Sequence, residues 1–358
     1  MVGIYLVEAA LYLCFSLLVG LLFIHLVPNY RRPELKMNKH TLEFSIIGIM
    51  LFSSVHVVSL ILFLYEDHGL WKSLYTVLGE MSVGKVWTIT IIISILFLLF
   101  AKKIPILENK IYINISLFLT LLLIITNVAT SHSTSIKGMS GLIVQTLHFL
   151  AVTVWAGILG VVSWFSIKRE EWLNFLMWFT PIALTCFFIV IGSGFYIMSI
   201  TIEITSYQDN WSVPYGMIIL LKHLLVIPLI GFAIINGIWI KRKLKNGSKL
   251  NPIPWAKAES ILILCIFVVT GALSQKEPPH VTRSQFGRET SYEFFESITV
   301  ILSSLSNPEL GLLFQTCLFL IITVFILYCS KLKFAAFGSL LICLFFVLVS
   351  FLGLVKII

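Results

Sequence analysis

Uninterrupted apolar stretches of about 20 residues recur along almost the whole chain, and they restrict its fold more than any other feature. A bilayer core about 30 Å thick is crossed by about 20 helical residues, whose backbone groups bond to one another instead of to water. Hydrophobic residues make up 58% of the 358 residues and charged residues only 12%, far from the composition of a soluble domain. The sequence therefore predicts an all-α, polytopic bundle of transmembrane helices.

The apolar stretches predict about ten membrane spans. They lie at residues 4–27, 42–65, 86–101, 111–130, 142–166, 173–200, 216–240, 256–275, 311–330 and 334–355. We expect the first eight spans to form a transmembrane core over residues 1–275. Residues 276–310 are expected to form an outer loop, either a helix lying on the membrane surface or a plain linker. Residues 311–358 are expected to add two further C-terminal transmembrane helices.

The short connections between the predicted spans alternate in their content of Lys and Arg. Connections after odd-numbered spans are basic, as in the segment from Arg31 to Lys39, whereas the intervening ones are poor in basic residues or balanced by acidic ones. By the positive-inside rule, both termini face outward in a multi-pass protein of the cytoplasmic membrane. This topology explains the net charge of +8, so we expect the lipid bilayer, and no nucleic acid, as a partner.

Several ionisable side chains fall within or beside the predicted spans, where they are costly and by default indicate functional sites. The predicted topology places six of them in the outer half of the membrane or just above it: Glu8, His56, His132, His148, Lys222 and His223. Glu8 is the only acidic residue that we place within the hydrocarbon. On span 5, His148 shares one helical face with Gln145 and Trp155. We interpret the histidines at matching depth on different spans as one shared site, with Glu8 nearby; the alternative is that each histidine only hydrogen-bonds a neighbouring helix.

The residue types in this group favour a late transition metal. Neutral imidazole suits copper, zinc, iron and nickel, whereas magnesium or calcium would require several carboxylates. The metal could be bare or part of a heme. Met139 and Met198 lie near the outer ends of spans 5 and 6, and their thioether sulfur is a soft ligand for Cu(I), although core packing is the more ordinary role. The six cysteines form no C-x-x-C pair.

Three stretches resemble the copper resistance protein D (CopD) family of membrane proteins. Residues 178–200 read WFTPIALTCFFIVIGSGFYIMSI, and residues 214–237 read PYGMIILLKHLLVIPLIGFAIING. Upstream, the Ser131-His132 pair and the stretch LHFLAVTVWAGILG, which contains His148, look like the histidine-bearing span that precedes this unit in the family. The CopD-like unit extends over about residues 131–275, and earlier spans resemble the family only in general architecture.

This resemblance implies copper transport across the cytoplasmic membrane, usually inward, with the copper ion received from an extracytoplasmic copper-binding donor protein. It implies a ligand role for His132 and His148, and it makes Lys222 a positional marker of the motif. The sequence contains no G-x-x-x-x-G-K-[ST] loop, so we expect no nucleotide as a partner and no enzymatic activity.

Our hypothesis from the sequence is a copper transporter that serves copper homeostasis and resistance. His132 and His148 would capture the metal, His223 and His56 would bind it at greater depth, and Glu8 would be a charge partner or a further ligand. Lys222, Trp155, Met198 and Met139 are further pathway candidates.

Two alternatives remain at this point. One is a b-type heme-binding membrane oxidoreductase or electron-transfer protein, in which His148 and either His56 or His223 would hold the heme iron. The other is a structural or assembly subunit whose polar groups only fix the packing of helices.

Overall fold

A computed structural model describes residues 2–37, 39–202, 211, 213–276 and 335–355. Within these ranges the fold is all-α, with extended pairing limited to one antiparallel bridge between Leu35 and Ser166. The helices of the described ranges are labelled in chain order. They are α1 (Val2–Leu26), α2 (Lys39–His68), α3 (Leu70–Tyr75), α4 (Ser82–Lys103), α5 (Lys110–Ala129), α6 (His132–Lys137), α7 (Met139–Phe165), α8 (Trp172–Thr201), α9 (Pro214–Ile234), α10 (Lys241–Lys245), α11 (Ile253–Ser274) and α12 (Ala335–Val355).

In the described part of the chain, nine helices are long and apolar enough to cross a membrane, and each coincides with one predicted span. The polytopic all-α class is therefore confirmed. The span predicted at 311–330 and nearly all of the predicted outer loop at 276–310 lie outside the described residues. Span 7 ends at Lys245, later than predicted, because a π-helical turn and the basic helix α10 continue α9. The orientation of the termini stays a prediction.

The chain divides into two compact units, Met1–Ile200 with Ile240–Ile253, and Thr201–Trp239 with Pro254–Ile358. In the first unit, α1 is the central helix and packs against α2, α5 and α7. Its residues Phe15, Leu18 and Leu22 are fully buried. A helix that is apolar on all sides is expected in the centre of a bundle, because it needs no solvated face.

Helices α1 and α7 approach each other closely at two glycines. A Cβ atom on Gly20 would overlap the backbone of Gly157, and a Cβ on Gly157 would overlap the carbonyl oxygen of Ser16. Small residues allow membrane helices to pack backbone against backbone, which compensates for the lack of a hydrophobic driving force in lipid. Beyond this contact, the Phe149 ring packs edge-on against Phe15, with the centroids 5.4 Å apart.

Two connections of the first unit are held together at the ends of α1 and α7. The backbone N–H of Lys36 donates to the carbonyl of Phe165 (2.8 Å), and that of Ile167 donates to the carbonyl of Glu34 (2.9 Å). The loop after α1 is therefore fixed against the end of α7 and the connection that follows it. This end carries the basic residues that the positive-inside rule assigns to the cytoplasmic side.

In the second unit, α9 packs against α12. Leu220, Leu224 and Leu225 of α9 form an apolar cluster with Val347 and Phe351 of α12. This cluster fixes the side of α9 that faces the interior of the unit.

We expect Gly157→Ala to destabilise the protein, because the added methyl group must displace the backbone of α1. Overpacking of this kind costs about 1–3 kcal/mol. Thermal unfolding of the purified protein in mild detergent measures the effect. Gly160→Ala is the matched control, since a Cβ on this glycine of the same helix meets no atom within 4 Å. Equal melting temperatures for the two variants would contradict the close crossing of α1 and α7.

Candidate functional site

A buried pair of ionisable side chains connects α1 and α2. The Glu8 carboxylate oxygen Oε1 is hydrogen-bonded to Nε2 of His56. Glu8 is only 5% exposed, while the His56 side chain remains 43% exposed. A carboxylate removed from water needs a partner, because an isolated buried charge costs several kcal/mol. His56 supplies that partner within a membrane-spanning segment.

His148 on α7 faces α8. Its Nδ1 atom lies 2.9 Å from the Ser193 hydroxyl, and the ring also lies near Gly194. The Ser193 hydroxyl donates its single proton to the carbonyl of Ile189, at 2.5 Å. It must therefore accept from Nδ1–H of His148, which assigns the tautomer of the neutral imidazole and leaves the lone pair on Nε2.

The rest of the polar face of α7 lies against α6 and α8. The Trp155 ring is 6% exposed and packs edge-on against Phe187 of α8, with the centroids 6.2 Å apart. Toward the beginning of α7, Gln145 Oε1 accepts a hydrogen bond of 3.5 Å from the Ser133 hydroxyl of α6. The residues that share a face with His148 are thus covered by protein.

His132 is the first residue of α6 and is exposed. The turn between α6 and α7 is made by Gly138, whose φ of +55° is costly for any residue with a Cβ. This turn folds α6 back onto the beginning of α7, the same helix that carries His148. Met139, just after the turn, is 69% exposed, and Met198 near the end of α8 is half-buried.

Lys222 and His223 are consecutive residues of α9 in the second unit. Lys222 is half-buried and His223 is exposed, whereas the next residue, Leu224, is buried in the apolar cluster with α12. Consecutive helical residues point about 100° apart, so the two side chains leave the helix in different directions.

The structure brings some of the predicted residues together and keeps others apart. Glu8 contacts His56 directly between α1 and α2, whereas His148 faces α8 and its neighbour Phe149 faces α1. Among the residues that the structure describes, no three His, Cys, Asp or Glu side chains form a metal-binding group. The first unit therefore shows two polar pairs, Glu8 with His56 and His148 with Ser193, and the single shared site inferred from the sequence stays a prediction. The ligand roles remain predictions.

Glu259 was not counted from the sequence among the ionisable residues within the hydrocarbon, although the predicted span 256–275 contains it. Glu259 lies in α11, a candidate membrane span, and is 2% exposed. The basic residues from Lys241 to Lys257 directly precede it, so it was grouped with the inner end of the span. The signal in the sequence that could have found it is a glutamate six residues after the start of the apolar helix α11; only the structure shows that Asn236 of the preceding span bonds to it.

The helical bundle and its intramembrane polar pairs define a multi-pass membrane protein. Residues 173–273, less than a third of the chain, match the family model described as Copper resistance protein D, which confirms the resemblance of the two stretches at 178–200 and 214–237; the upstream stretch with His132 and His148 lies outside the match. This is a membrane transport-type family, and its description implies copper as the metal involved. The match includes all but the first residue of α8 and the whole of α9. No curated protein and no solved structure matches the chain.

We expect Glu8→Gln to lower the free energy of unfolding by about 1–3 kcal/mol, because it weakens a buried charge-assisted hydrogen bond. Chemical or thermal unfolding in detergent measures the change. Glu43→Gln is the matched control, since Glu43 pairs at 3.4 Å with His40, whose side chain is 69% exposed. Such surface pairs contribute less than about 1 kcal/mol. An equal effect of both substitutions would contradict the importance of the buried pair.

Proposed function

We propose that this chain is a copper transporter of the cytoplasmic membrane, and not an enzyme, which takes copper ions from outside and moves them inward. The observation that carries the proposal is the hydrogen bond between His148 and Ser193. It joins a histidine of α7 to a serine within the segment that matches the copper resistance family. The proposal therefore rests on one geometric feature and one family match.

The bond to Ser193 prepares His148 for a metal. A ligating imidazole almost always donates its other N–H group to an oxygen, which fixes the tautomer and the orientation of the ring. Here Nδ1–H donates to Ser193, so the nitrogen that carries the lone pair is Nε2. Imidazole nitrogen suits copper in either oxidation state. His148 is therefore the residue to which we assign the first buried ligand position.

The Glu8–His56 pair suits a second step. A copper ion inside the membrane needs a negative charge nearby, and Glu8 is a buried carboxylate on the central helix of the first unit. Metal ligands must be deprotonated, so copper that binds Nε2 of His56 displaces the proton that now lies between the two side chains. Glu8 then compensates the charge of the metal.

The outer part of the pathway is assigned to α6 and its turn. His132 and Met139 are both exposed, as residues that receive a metal from a separate donor protein must be. Met198, Trp155, Lys222 and His223 stay pathway candidates. Imidazole and carboxylate ligands on the oxidising side of the membrane favour Cu(II) at capture.

Metal content distinguishes this proposal from the heme alternative. We expect the purified protein, loaded with copper and freed of excess metal, to retain stoichiometric copper, and His148→Ala to reduce that amount. His40→Ala, which removes an exposed histidine bonded only to Glu43, is the control. Iron with a heme absorption band would overturn the proposal in favour of a cytochrome. Copper content that is the same in all three proteins would remove His148 from the site.

Ser193→Ala tests whether His148 is held in its ligating orientation. Loss of a hydrogen-bond partner that orients a ligating histidine typically costs about 10–100-fold in metal affinity. Competition with a coloured copper chelator measures the affinity. Ser199→Ala is the matched control on the same helix, since the Ser199 hydroxyl is exposed and donates only to the carbonyl of Tyr196. Unchanged affinity in Ser193→Ala would show that the bond has no part in copper binding.

A further inference from the structure

A cavity of about 620 Å³ lies in the first unit, where α1 ends and α8 begins. Its walls come from the last turn of α1, the loop that follows α1, and the connection between α7 and α8. The positive-inside rule assigns this end of the unit to the cytoplasmic side. None of the residues that line the cavity has a part in the copper pathway proposed above. The cavity is therefore a separate candidate site.

His25 lines this cavity from the last turn of α1 and is half-buried. Its Nδ1 atom lies 2.8 Å from the backbone carbonyl oxygen of Leu21, one helical turn earlier. A carbonyl oxygen can only accept, so Nδ1 carries a proton, and the neutral imidazole keeps its lone pair on Nε2. A ligating histidine usually has this arrangement, because the oxygen that accepts from its other N–H orients the ring. His25 can therefore offer Nε2 to a metal ion.

Met37 lines the same cavity from the loop after α1, and it also packs against the apolar core of the first unit. It lies two residues after Leu35, which forms the antiparallel bridge with Ser166. Side chains two residues apart in an extended segment lie on the same side, and Leu35 also lines the cavity. Thioether sulfur is a soft ligand that selects Cu(I), and imidazole also binds copper. The cavity thus contains one ligand of each type.

The charged side chains around the cavity favour a cation as its ligand. Arg31, Lys36 and Arg169 belong to the surrounding loops and do not line the cavity. With His25 neutral, the cavity itself has a local excess of negative charge, because three carboxylates and two basic groups line it. These are Glu34, Glu170, Glu171, Arg32 and Lys168.

Both basic groups of the cavity already have partners. Arg32 donates through Nη1 to the carbonyl of Ile24 at 3.0 Å, and through Nε and Nη2 to Oδ1 of Asn29 at 3.2 and 2.8 Å. It therefore satisfies one of the last carbonyls of α1, which have no partner within the helix. Lys168 Nζ lies 3.4 Å from a carboxylate oxygen of Glu34. A phosphate or another anion would have to compete for these donors, whereas a cation would not.

We propose that this cavity is a binding site for Cu(I), with Nε2 of His25 and the sulfur of Met37 as ligands and the carboxylates of the cavity as compensating charge. Cu(I) accepts as few as two ligands, and the cytoplasm is a reducing compartment. The inference goes beyond the proposed transport, since the site binds copper on the side to which transport would deliver it. Binding forms two coordinate bonds, and no proton or electron is transferred.

Methyl NMR of the full chain in detergent tests the site. The methionine methyl groups carry an isotope label, and the Met37 signal is identified by its loss in Met37→Leu, a substitution that conserves volume. We expect Cu(I), added under nitrogen, to shift the Met37 signal in wild type and in the control His40→Ala, but not in His25→Ala. The signal of Met177, an exposed methionine of α8, should stay in place.

Three results of this experiment would overturn the proposal. The first is a Met37 signal that does not respond to Cu(I) in wild-type protein. The second is a response to inorganic phosphate instead of Cu(I), which would indicate an anion site. The third is a full response in His25→Ala, which would remove His25 from the site. Size-exclusion chromatography checks that this variant is folded.

Competition with a coloured Cu(I) chelator provides a second measurement. We expect Met37→Leu to retain one Cu(I) fewer per chain than wild type, and Met177→Leu to retain the same number. Undiminished Cu(I) in Met37→Leu would contradict the proposal. Neither measurement requires transport. The Met37 response should also persist in His148→Ala, so the copper pathway proposed above and this site can fail independently.

Discussion

The close crossing of α1 and α7 at Gly20 and Gly157 is the contact on which the first unit depends. In lipid there is no hydrophobic driving force for apolar helices to associate. They are held together by van der Waals packing, which is closest where small residues let the two backbones touch. This crossing makes α1 the central helix, against which α2 and α5 also pack. It also fixes the rotation of α7, because Phe149 must face α1. His148, the preceding residue, is thereby turned toward α8.

The same packing determines where polar side chains are tolerated. Glu8 is accepted on the buried helix α1 because His56 of α2 reaches it, and His148 is accepted because the Ser193 hydroxyl of α8 accepts its N–H. Each polar group is satisfied across one helix interface. A metal ion that moves through such a bundle would pass from one binding site to the next, each with few ligands. Weak binding sites of this kind release their ion more readily than a site in which the protein supplies all the ligands.

Hydropathy alone predicted nine helices of the described chain correctly, because the bilayer requires a fixed number of apolar residues in each span. The position of Glu8, His56 and His148 within membrane-spanning helices followed from the same pattern, and their depth stays a prediction. Hydropathy does not reveal which helices are neighbours, so neither the Gly20–Gly157 crossing nor the bond from His148 to Ser193 could be predicted. Glu259 was passed over for another reason: it lies only a few residues inside the predicted span 256–275, directly after the basic run that ends at Lys257.

The two buried carboxylates differ in the hydrogen bonds that the structure shows for them. Glu8 is bonded to an imidazole, a group that is itself a metal ligand and that stabilises negative charge when protonated. Glu259 accepts a hydrogen bond from the side-chain amide of Asn236, and an amide is a poor ligand for copper. Of the two acids, Glu8 is therefore the one whose neighbour can itself bind a metal, and this is why the proposed pathway includes Glu8 and not Glu259.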